Sequence, residues 1–336
     1  MESTQADAPR MLDELDLAIV HALQIDARAP WTRVAEAVGA DAATVARHWQ
    51  RMSAERLAWT TAWPSPRRWS SRTDVAAVLL ERGTSSDVLA AVVALPWVIV
   101  ADETSAGILV LVATGDGLPG IAGRVAALVQ AGASVLRVEV ASAVVAEDSS
   151  WRLRSLSAAQ QAVLRGRTGE TQGTHGADPR PPRREVLDEL AAVLDEDPRM
   201  PAAALAARLG VSEATARRTV ERATASGHLR LGCDLAMPAA GLGRGVILWA
   251  SAAELERAAE RAARLPEAHR VGAFVGAAPL FLCVRGSSLT IVPAVERAWG
   301  SDVEVHERWT VLRSVKRNGH LLDDAGRTAG RIAPVW

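Results

Sequence analysis

Apolar residues recur at helical spacing near the start of the chain and again near its middle. These residues are Leu12, Leu15, Ile19, Val20 and Leu23 in the first segment, and Val186, Leu190 and Leu194 in the second. A short helix follows in each segment and ends at Gly39 or Gly210, because glycine tolerates the left-handed backbone of a helix end. A third helix begins after a capping side chain, Asp41 or Ser212. We therefore predict two three-helix units with the short turn of a helix-turn-helix.

Behind each helical unit, short apolar strands alternate with helices in the order βαββαβ. The predicted strands cover residues 75–80, 98–101, 108–113 and 135–145 in the first half, and residues 245–251, 269–275, 280–284 and 303–312 in the second. This order is typical of a ferredoxin-like module. Helices cover only one face of such a sheet, so its other face needs a partner. A second module in the same chain would supply that partner.

The two halves also share residue types at a constant offset of 171 positions. The matching pairs are Asp26 with Asp197, Arg28 with Arg199, Pro30 with Pro201, Ala35 with Ala206, Gly39 with Gly210, Thr44 with Thr215, Arg47 with Arg218, and Arg51 with Arg222. A repeat this long indicates tandem domains and not a solenoid. Residues 165–183 between the halves are rich in glycine and proline, which is typical of a linker.

The predicted fold class is therefore α+β, with two winged or plain helix-turn-helix units that are each followed by a ferredoxin-like module. The helix-turn-helix units are assigned to residues 11–58 and 184–231. The ferredoxin-like modules, expected to bind an effector or to drive oligomerisation, are assigned to residues 73–147 and 244–322. The linker occupies residues 165–183.

Composition excludes several classes of protein. The hydrophobic fraction is 49% and the formal net charge is -1, so the chain is not of the disordered class. No apolar run is long enough for a membrane span, and residues 1–10 lack the apolar region of a signal peptide. Cys233 and Cys283 give neither a zinc spacing nor a disulfide framework, so we expect a reduced, cytoplasmic protein without a metal or cofactor. Near-zero charge still permits a DNA-binding protein whose basic groups lie on one face.

The third helix of each unit concentrates positive charge. Residues 42–56 hold three arginines against one acid, and residues 213–230 hold four against two. The predicted DNA contacts are Thr44, Arg47, His48, Arg51, Ser212, Thr215, Arg217, Arg218 and Arg222. Arginine forks suit both phosphates and guanine edges. A single run of this kind is a solvated helix face as often as it is a DNA-binding face. Two runs with the same turn glycine, threonine and arginine positions favour DNA binding.

The chain resembles a tandem member of the leucine-responsive regulator/AsnC (Lrp/AsnC) family of bacterial transcription regulators. The resemblance rests on LDELD at residues 12–16, DAR at 26–28, VAEAVG at 34–39, ATVAR at 43–47, LAARLGVS at 205–212 and VLRSVKR at 311–317. It implies a regulator that binds double-stranded DNA and senses amino acids, and that forms a homo-oligomer or an intramolecular pseudo-dimer. It also implies an effector pocket between modules, near the loop joining the second and third strands. Gly107 and Gly276 lie in these loops, although neither is followed by the aspartate that would hold an amino group.

Two other interpretations remain open beside the expectation of a non-enzymatic regulator. Sirohaem decarboxylases resemble this architecture and use histidine and tyrosine groups, whereas this chain has no tyrosine, and His269 is interpreted as a surface residue. An assembly protein with a decayed DNA-binding unit is the second alternative, because Trp31 and Trp49 are unusually large for such a unit. Several further basic groups, including Lys316 and Arg317, would contact the DNA backbone or lie solvated on the surface.

Overall fold

The computed structural model describes residues 11–64, 74–165 and 180–334, and its fold is mixed α+β. The helices are α1 (Glu14–Ile25), α2 (Trp31–Val38), α3 (Ala42–Ala54), α4 (Ser86–Val93), α5 (Gly117–Gln130), α6 (Ala158–Arg165), α7 (Arg184–Glu196), α8 (Ala202–Leu209), α9 (Glu213–Ala225), α10 (Leu255–Ala263) and α11 (Ile291–Trp299). Residues 166–179 of the predicted linker lie outside the described residues. Within the described part of the chain, no helix is both long and apolar enough to span a bilayer.

Five strands follow the same order in each half, and the second half has two short strands more. The strands are β1 (Ala58–Pro64), β2 (Asp74–Leu80), β3 (Val98–Thr104), β4 (Ile108–Thr114), β5 (Val135–Ala146), β6 (Leu229–Leu235), β7 (Arg244–Ala252), β8 (Ala268–Val275), β9 (Leu280–Gly286), β10 (Val303–Arg317), β11 (His320–Leu322) and β12 (Thr328–Arg331). Each helix and strand expected in the two βαββαβ segments is present, with ends that differ from the expected ones by a few residues.

Local sequence signals explain the two three-helix units. Helices α2 and α8 end at Gly39 and Gly210, whose φ angles of 72° and 63° lie in the left-handed region. The side chains of Asp41 and Ser212 accept the backbone N–H groups of Thr44 and Thr215, which caps α3 and α9. The turn between the second and third helices is therefore set by the same chemistry in both halves.

The two helical units pack against each other's strands. Strand β1 pairs antiparallel with β6, α1 packs against β6, and α7 packs against β1. Ala62 of β1 is buried in the core of the second unit, and Leu235 of β6 is buried in that of the first. Each unit thus needs the strand that follows the other unit to complete its apolar core.

Two arginines at equivalent positions of the repeat add hydrogen bonds between the two helical units. Arg28 donates hydrogen bonds to the carbonyl oxygens of Pro198 and Met200, both at 2.7 Å. Arg199, the equivalent residue, donates to two carbonyl oxygens in residues 27–29 at 2.5 and 2.9 Å. The reciprocal contacts give the helical pair an approximate twofold relation within one chain.

The βαββαβ segments join into one closed barrel. Its strand order is β10-β3-β4-β2-β5-β8-β9-β7, and β7 pairs back with β10, while β11 and β12 extend the sheet beyond β10. The halves meet where β3 pairs with β10 and where β5 pairs with β8. Helices α4 and α5 pack on the outside of one half, and α10 and α11 pack on the outside of the other. The inward faces of all these strands therefore surround a common interior.

A segment for which the sequence predicted no helix or strand connects the barrel to the first helical unit. Residues 147–164, the strap, leave β5 and run along α1. The backbone N–H of Leu153 donates to Gln24 Oε1 at 2.8 Å, and that of Leu156 donates to His21 Nδ1 at 3.0 Å. Helix α6 at the end of the strap packs against α1 and α2. The first helical unit is therefore fixed to the barrel by buried hydrogen bonds as well as by apolar contacts.

Candidate functional site

The N-terminal half of α3 presents an arginine to solvent. Arg47 is exposed, and its Nη2 lies 3.3 Å from the Thr44 hydroxyl oxygen. The backbone N–H of Thr44 donates to the Asp41 cap at 2.8 Å, and the hydroxyl of the half-buried Thr44 lies between Asp41 and Arg47. The start of α3 thus combines a guanidinium, a hydroxyl and the positive end of a helix dipole, which all attract phosphate.

His48 and Arg51 of α3 lie differently from Arg47. His48 Nδ1 lies 2.8 Å from Asp16 of α1, and Arg51 Nη2 lies 2.5 Å from both oxygens of that carboxylate. Asp16 is only 1% exposed, and Arg51 also lies 3.7 Å from Glu55. These contacts hold α3 against α1 and neutralise the positive charge of Arg51.

A cluster of possible metal ligands occurs at the same place. One ligand atom each from Asp13, Asp16 and His48 lies within 4.8 Å of the others. The guanidinium of Arg51 already occupies the Asp16 carboxylate, so a cation would meet a positive charge there. The cluster therefore acts as the anchor of α3.

The equivalent surface of α9 is more exposed. Arg217 lies 3.4 Å from Glu213 and its side chain is 66% exposed. Arg218 is exposed and makes no hydrogen bond or ion pair with any residue that the structure describes. The hydroxyls of Ser212 and Thr215 lie 2.9 Å apart at the start of the helix. The start of α9 therefore offers two arginines and two hydroxyls to solvent.

Arg222, the last predicted contact on α9, turns toward the segment before α7. Its Nη2 donates to the carbonyl oxygens of Arg180 and Pro181 at 3.2 and 3.3 Å. It is exposed, and no carboxylate in the described part of the chain pairs with it as Asp16 pairs with Arg51. Arg222 therefore keeps its positive charge at the surface.

The two tryptophans of the first unit pack onto its core. The ring centroids of Trp31 and Trp49 lie 6.2 Å apart, and both rings contact the buried cluster around α1. The guanidinium of Arg199 stacks on Trp31 at 4.1 Å. The bulky rings thus fill the junction between the two helical units.

The two glycines predicted to contact an effector have different surroundings. Gly107 has a φ of 151°, and a Cβ atom there would collide with the backbone carbonyl of Leu80, so close packing requires glycine. A Cβ atom on Gly276 would instead meet the carboxylate of Glu139, which comes from β5 of the other half. The sequence therefore missed an acidic group beside Gly276 because 137 positions separate the two residues.

The barrel interior contains a buried ion cluster. Arg270 Nη2 donates to Asp102, Arg285 Nη2 lies 3.5 Å from the same carboxylate, and the Ser314 hydroxyl donates to it at 2.5 Å. Burial alone would raise the pKa of Asp102, but the guanidinium groups of Arg270 and Arg285 hold that pKa below its usual range. Asp102 is therefore ionised inside the barrel.

Two cavities adjoin this cluster. The first contains about 540 Å³ of space, part of it open to solvent, and is lined by Trp63, Phe274, Phe281 and Arg270 among others. The second contains about 420 Å³ of space, also partly open to solvent, and lies between the strap and the β1–β6 pair. Asp148 and Asn318 line both cavities, so the two are neighbours. A path of polar groups thus leads from the helical units toward the barrel interior.

His269 is buried beside these cavities, and its interpretation as a surface residue is wrong. It is 1% exposed, its ring stacks on Trp151 with centroids 4.1 Å apart, and its Nδ1 lies 3.5 Å from Asp148. Burial lowers the pKa of His269 to about 4, although Asp148 opposes the shift. The imidazole is therefore neutral near pH 7.

Lys316 and Arg317 are likewise buried, so neither alternative placement, on the DNA backbone or solvated on the surface, is correct. Lys316 Nζ donates at 2.8 Å to the carbonyl oxygens of Val93 and Leu95 at the end of α4. Arg317 Nε donates to Asp234 at 2.8 Å. Each of these long side chains can lie in the interior because buried carbonyl or carboxylate oxygens accept hydrogen bonds from its cationic group.

Comparison with known proteins identifies the domain that carries the first of these surfaces. The model of the AsnC-type helix-turn-helix domain matches residues 12–53. Residues 12–53 form an AsnC-type helix-turn-helix domain. A search of curated proteins finds no match. The AsnC-type domain contains α1 to α3, and hence Thr44, Arg47 and the Asp16 anchor.

Solved structures extend the comparison beyond the AsnC-type domain. The siroheme decarboxylase NirDL, in complex with an iron-uroporphyrin III analogue, is similar at 14% identity and a TM-score of 0.55, over 91% of this chain and 93% of that one. An AsnC family transcriptional regulator from Agrobacterium tumefaciens matches at 18% identity and a TM-score of 0.36, over 41% and 96%. LrpC of B. subtilis matches at 17% and 0.34, over 39% and 96%.

The likeness to NirDL corrects one expectation. The sequence predicted a chain that is not an enzyme, and this prediction is contradicted because the similarity to a siroheme decarboxylase spans nearly the whole chain. The likeness concerns the fold, since identity is only 14%. The AsnC-type domain therefore belongs to a chain whose overall fold an enzyme also adopts.

Proposed function

We propose that the chain is a sequence-specific DNA-binding transcription regulator of the Lrp/AsnC type, located in the cytoplasm. In this proposal, helix-turn-helix units at residues 11–58 and 184–231 are each followed by a ferredoxin-like module, at residues 73–147 and 244–322. The observation that carries it is the pair of exposed arginines, Arg47 and Arg218, at equivalent positions of α3 and α9. The AsnC-type domain at residues 12–53 supports the same function.

We assign each side chain to base edges, to phosphates or to the positioning of α3, according to its exposure and its bonds within the protein. Arg47, Arg217 and Arg218 are exposed, so they are assigned to base edges, where an arginine fork recognises guanine. Thr44, Thr215 and Ser212 lie at the starts of the two helices and are assigned to phosphates. His48 and Arg51 are engaged by Asp16, so their role in DNA binding is to position α3.

A single chain would present both helices to one duplex. The exchange between β1 and β6 and the reciprocal contacts of Arg28 and Arg199 relate the two units by an approximate twofold. Paired helix-turn-helix units read half-sites about one helical turn, or a multiple of it, apart. The proposed operator is therefore two related half-sites with a fixed spacing.

The test is selection of duplexes from a randomised DNA library by the full chain, followed by titration over a salt series. We expect an enriched motif whose affinity exceeds that for a scrambled duplex by about a thousandfold or more. The logarithm of affinity should fall linearly with the logarithm of salt concentration. Absence of an enriched motif, with equal affinity for both duplexes, would contradict the proposal.

An amino-acid-like effector is part of this proposal, at the loop that contains Gly276. Glu139 lies against that glycine and supplies the carboxylate that the loop itself lacks. A carboxylate at this place suits an amino group on the ligand. Dialysis of the protein against a set of radiolabelled amino acids, with Glu139→Gln as the control, tests the assignment.

A decarboxylase-like activity is the second candidate function. It is favoured by the whole-chain likeness to NirDL, by the buried His269 and Arg270, and by Asp148, whose side chain is 5% exposed and lines both cavities. The absence of tyrosine from the chain weighs against a mechanism that needs a phenol. Incubation with siroheme under anaerobic conditions, read by absorbance and by mass loss of carbon dioxide, tests this function. An unchanged spectrum and mass would exclude siroheme as the substrate.

A further inference from the structure

The third helices of the two units differ at one pair of equivalent positions near their starts. Ala46 of α3 is matched in α9, 171 residues later, by Arg217. Arg217 is followed by Arg218, and both side chains are exposed. In a helix-turn-helix protein, the first residues of this helix contact base edges in the major groove. Helix α9 therefore offers two guanidinium groups to the bases, where residues 42–47 of α3 offer one.

Arg217 is available to DNA because its partner within the protein holds it only weakly. Its Nη2 lies 3.4 Å from Glu213, and the two side chains are 66% and 53% exposed. An exposed ion pair of this kind contributes little to stability, so a guanine edge can replace Glu213. Successive residues of a helix project roughly 100° apart, so Arg217 and Arg218 leave α9 in different directions. Arg217 is therefore suited to a base pair that Arg218 does not contact.

A basic segment lies beside α9. Arg222 Nη2 donates to the carbonyl oxygen of Arg180 at 3.2 Å, which places residues 180–184 against the helix. Arg180, Arg183 and Arg184 of this segment are exposed. Of these, Arg184 lies 3.8 Å from Asp188, in a pair whose side chains are 72% and 52% exposed. Positive charge at this surface attracts the phosphates next to the bases that α9 would contact.

The equivalent place in the first unit is acidic. At the offset of 171 residues, Leu12 and Asp13 stand where the second unit has Arg183 and Arg184. Leu12 is buried, while Asp13 and the following Glu14 are exposed. Carboxylates at this place repel phosphate, so the first unit gains less from the DNA backbone than the second unit does. The difference acts in the same direction as the extra arginine of α9.

We propose that the operator has two unequal half-sites and that the chain binds it in one orientation. The half-site bound by α9 contains a guanine contacted by Arg217, and the half-site bound by α3 has no requirement at the matching base pair. The second unit therefore contributes the larger share of the affinity. The asymmetry rests on the proposed DNA-binding function and adds polarity to it, because two identical half-sites would let the approximately twofold chain bind in either direction.

The test is selection from a randomised DNA library by the full wild-type chain and by two variants. The wild-type chain should enrich a motif that is not palindromic, with a guanine in one half-site that the other half-site lacks. Arg217→Ala should make the half-sites alike by removing the requirement for that guanine. Ala46→Arg should make them alike by adding a guanine to the weaker half-site. Circular dichroism checks that both variants fold, and Arg217→Ala, at an exposed position, decides alone if Ala46→Arg does not.

A base substitution at the selected guanine separates a base contact from a phosphate contact. Replacing this guanine by adenine should weaken binding of the wild-type chain about tenfold, but that of Arg217→Ala less than about twofold, because the variant no longer recognises the base. A phosphate contact would leave the preference for guanine unchanged in the variant. Arg264→Ala, directly after α10 and 78% exposed, is the matched control and should keep the tenfold preference.

The basic segment is tested by the salt dependence of binding. Arg183→Gln combined with Arg184→Gln should weaken binding to every duplex by a similar factor. The slope of the logarithm of affinity against the logarithm of salt concentration should become shallower by about one to two. An unchanged slope would overturn the contribution assigned to residues 180–184.

Two results would overturn the asymmetry while leaving the proposed function intact. One is a wild-type motif with two identical half-sites, and the other is an unchanged motif selected by Arg217→Ala. If the wild-type chain enriches no motif at all, the proposed DNA-binding function fails and the asymmetry fails with it.

Discussion

Helices α3 and α9 hold equivalent places in the two helical units, and different interactions fix each of them. In α3, His48 and Arg51 bind the buried carboxylate of Asp16. At an offset of 171 residues, the position of Asp16 is taken by Leu187, which is buried in the core of the second unit. Helix α9 is thus held by apolar packing, while α3 has an additional ionic anchor.

This difference separates two roles that look alike in the sequence. Arg51 and Arg222 match in the repeat, yet Arg51 is paired with a buried acid and Arg222 binds backbone carbonyls at the surface. Arg47 and Arg218 match as well, and both are exposed. A repeated arginine therefore indicates a DNA contact only where no acid of the core engages it.

The largest expected effect concerns the two exposed arginines. Arg47→Ala combined with Arg218→Ala should lower affinity for the selected duplex by about a hundredfold or more, because each base contact contributes about 1–3 kcal/mol. Fluorescence anisotropy of a labelled duplex measures this. Arg264→Ala, at a side chain directly after α10 that is 78% exposed, is the matched control and should leave affinity unchanged. If the double variant binds as tightly as the control, neither Arg47 nor Arg218 contacts the DNA.

The next prediction compares the loss of Arg51 from α3 with the loss of Arg222 from α9. Arg51→Met should lower the free energy of unfolding by about 3 kcal/mol, because Asp16 is left as a buried charge that lacks its strongest partner. Arg222→Met should cost less than about 0.5 kcal/mol, because Arg222 is exposed. Urea denaturation followed by circular dichroism measures both values. Equal losses would show that α3 and α9 are held in the same way.

Acid should destabilise the first unit specifically. Burial lowers the pKa of His21 to about 4, with help from Arg152 and Arg165, against 6.5 in the unfolded chain. The unfolded state then binds more protons between these values, so stability present above pH 6.5 is lost as pH falls toward 4. His21 should contribute a loss of roughly 2 kcal/mol between pH 7 and pH 5.

The control for this effect is His21→Gln, which keeps an acceptor for the N–H of Leu156 without a titrating ring. Its stability should depend on pH less steeply than that of the wild-type protein. The second unit has Ala192 at the equivalent position, so its own unfolding should not respond to this proton. Hydrogen exchange at pH 7 and pH 5 resolves the two units. The same acid response in both would refute the assignment to His21.

The smallest effect concerns the link between the units. Arg28→Met and Arg199→Met should each cost about 1–2 kcal/mol, because each removes two partly buried hydrogen bonds to backbone carbonyls. Arg199→Met should cost slightly more, since Arg199 also stacks on Trp31. Thermal unfolding measures the two values. Strongly unequal costs in the opposite order would break the approximate twofold relation.

Local signals made much of the fold predictable. Gly39, Gly210, Asp41 and Ser212 mark helix ends by conformational preference and capping, which depend only on near neighbours. Strands such as β4 were evident from their short apolar runs. These signals suffice for the order of helices and strands, but not for which strands pair across the two halves.

Features that rest on distant partners escaped the sequence. His269 is buried because Trp151 and Asp148 arrive from the strap, and Lys316 is buried because α4 ends beside it. The contacts of Asp16 with His48 and Arg51 were not predicted, because the LDELD motif at residues 12–16 is typical of a capped helix start. In each case the deciding partner lies at least 32 positions away. Polar residues in the interior are thus poorly predicted when their partners come from another segment.

The most direct test of the central claim is a hydroxyl-radical footprint of the full chain on its selected duplex. Two protected patches should appear, about one helical turn or a multiple of it apart, because one chain carries two recognition helices. Arg47→Ala should weaken one patch, and Arg218→Ala should weaken the other. A single patch, or two patches that both variants weaken equally, would contradict the account of one chain reading two half-sites through Arg47 and Arg218.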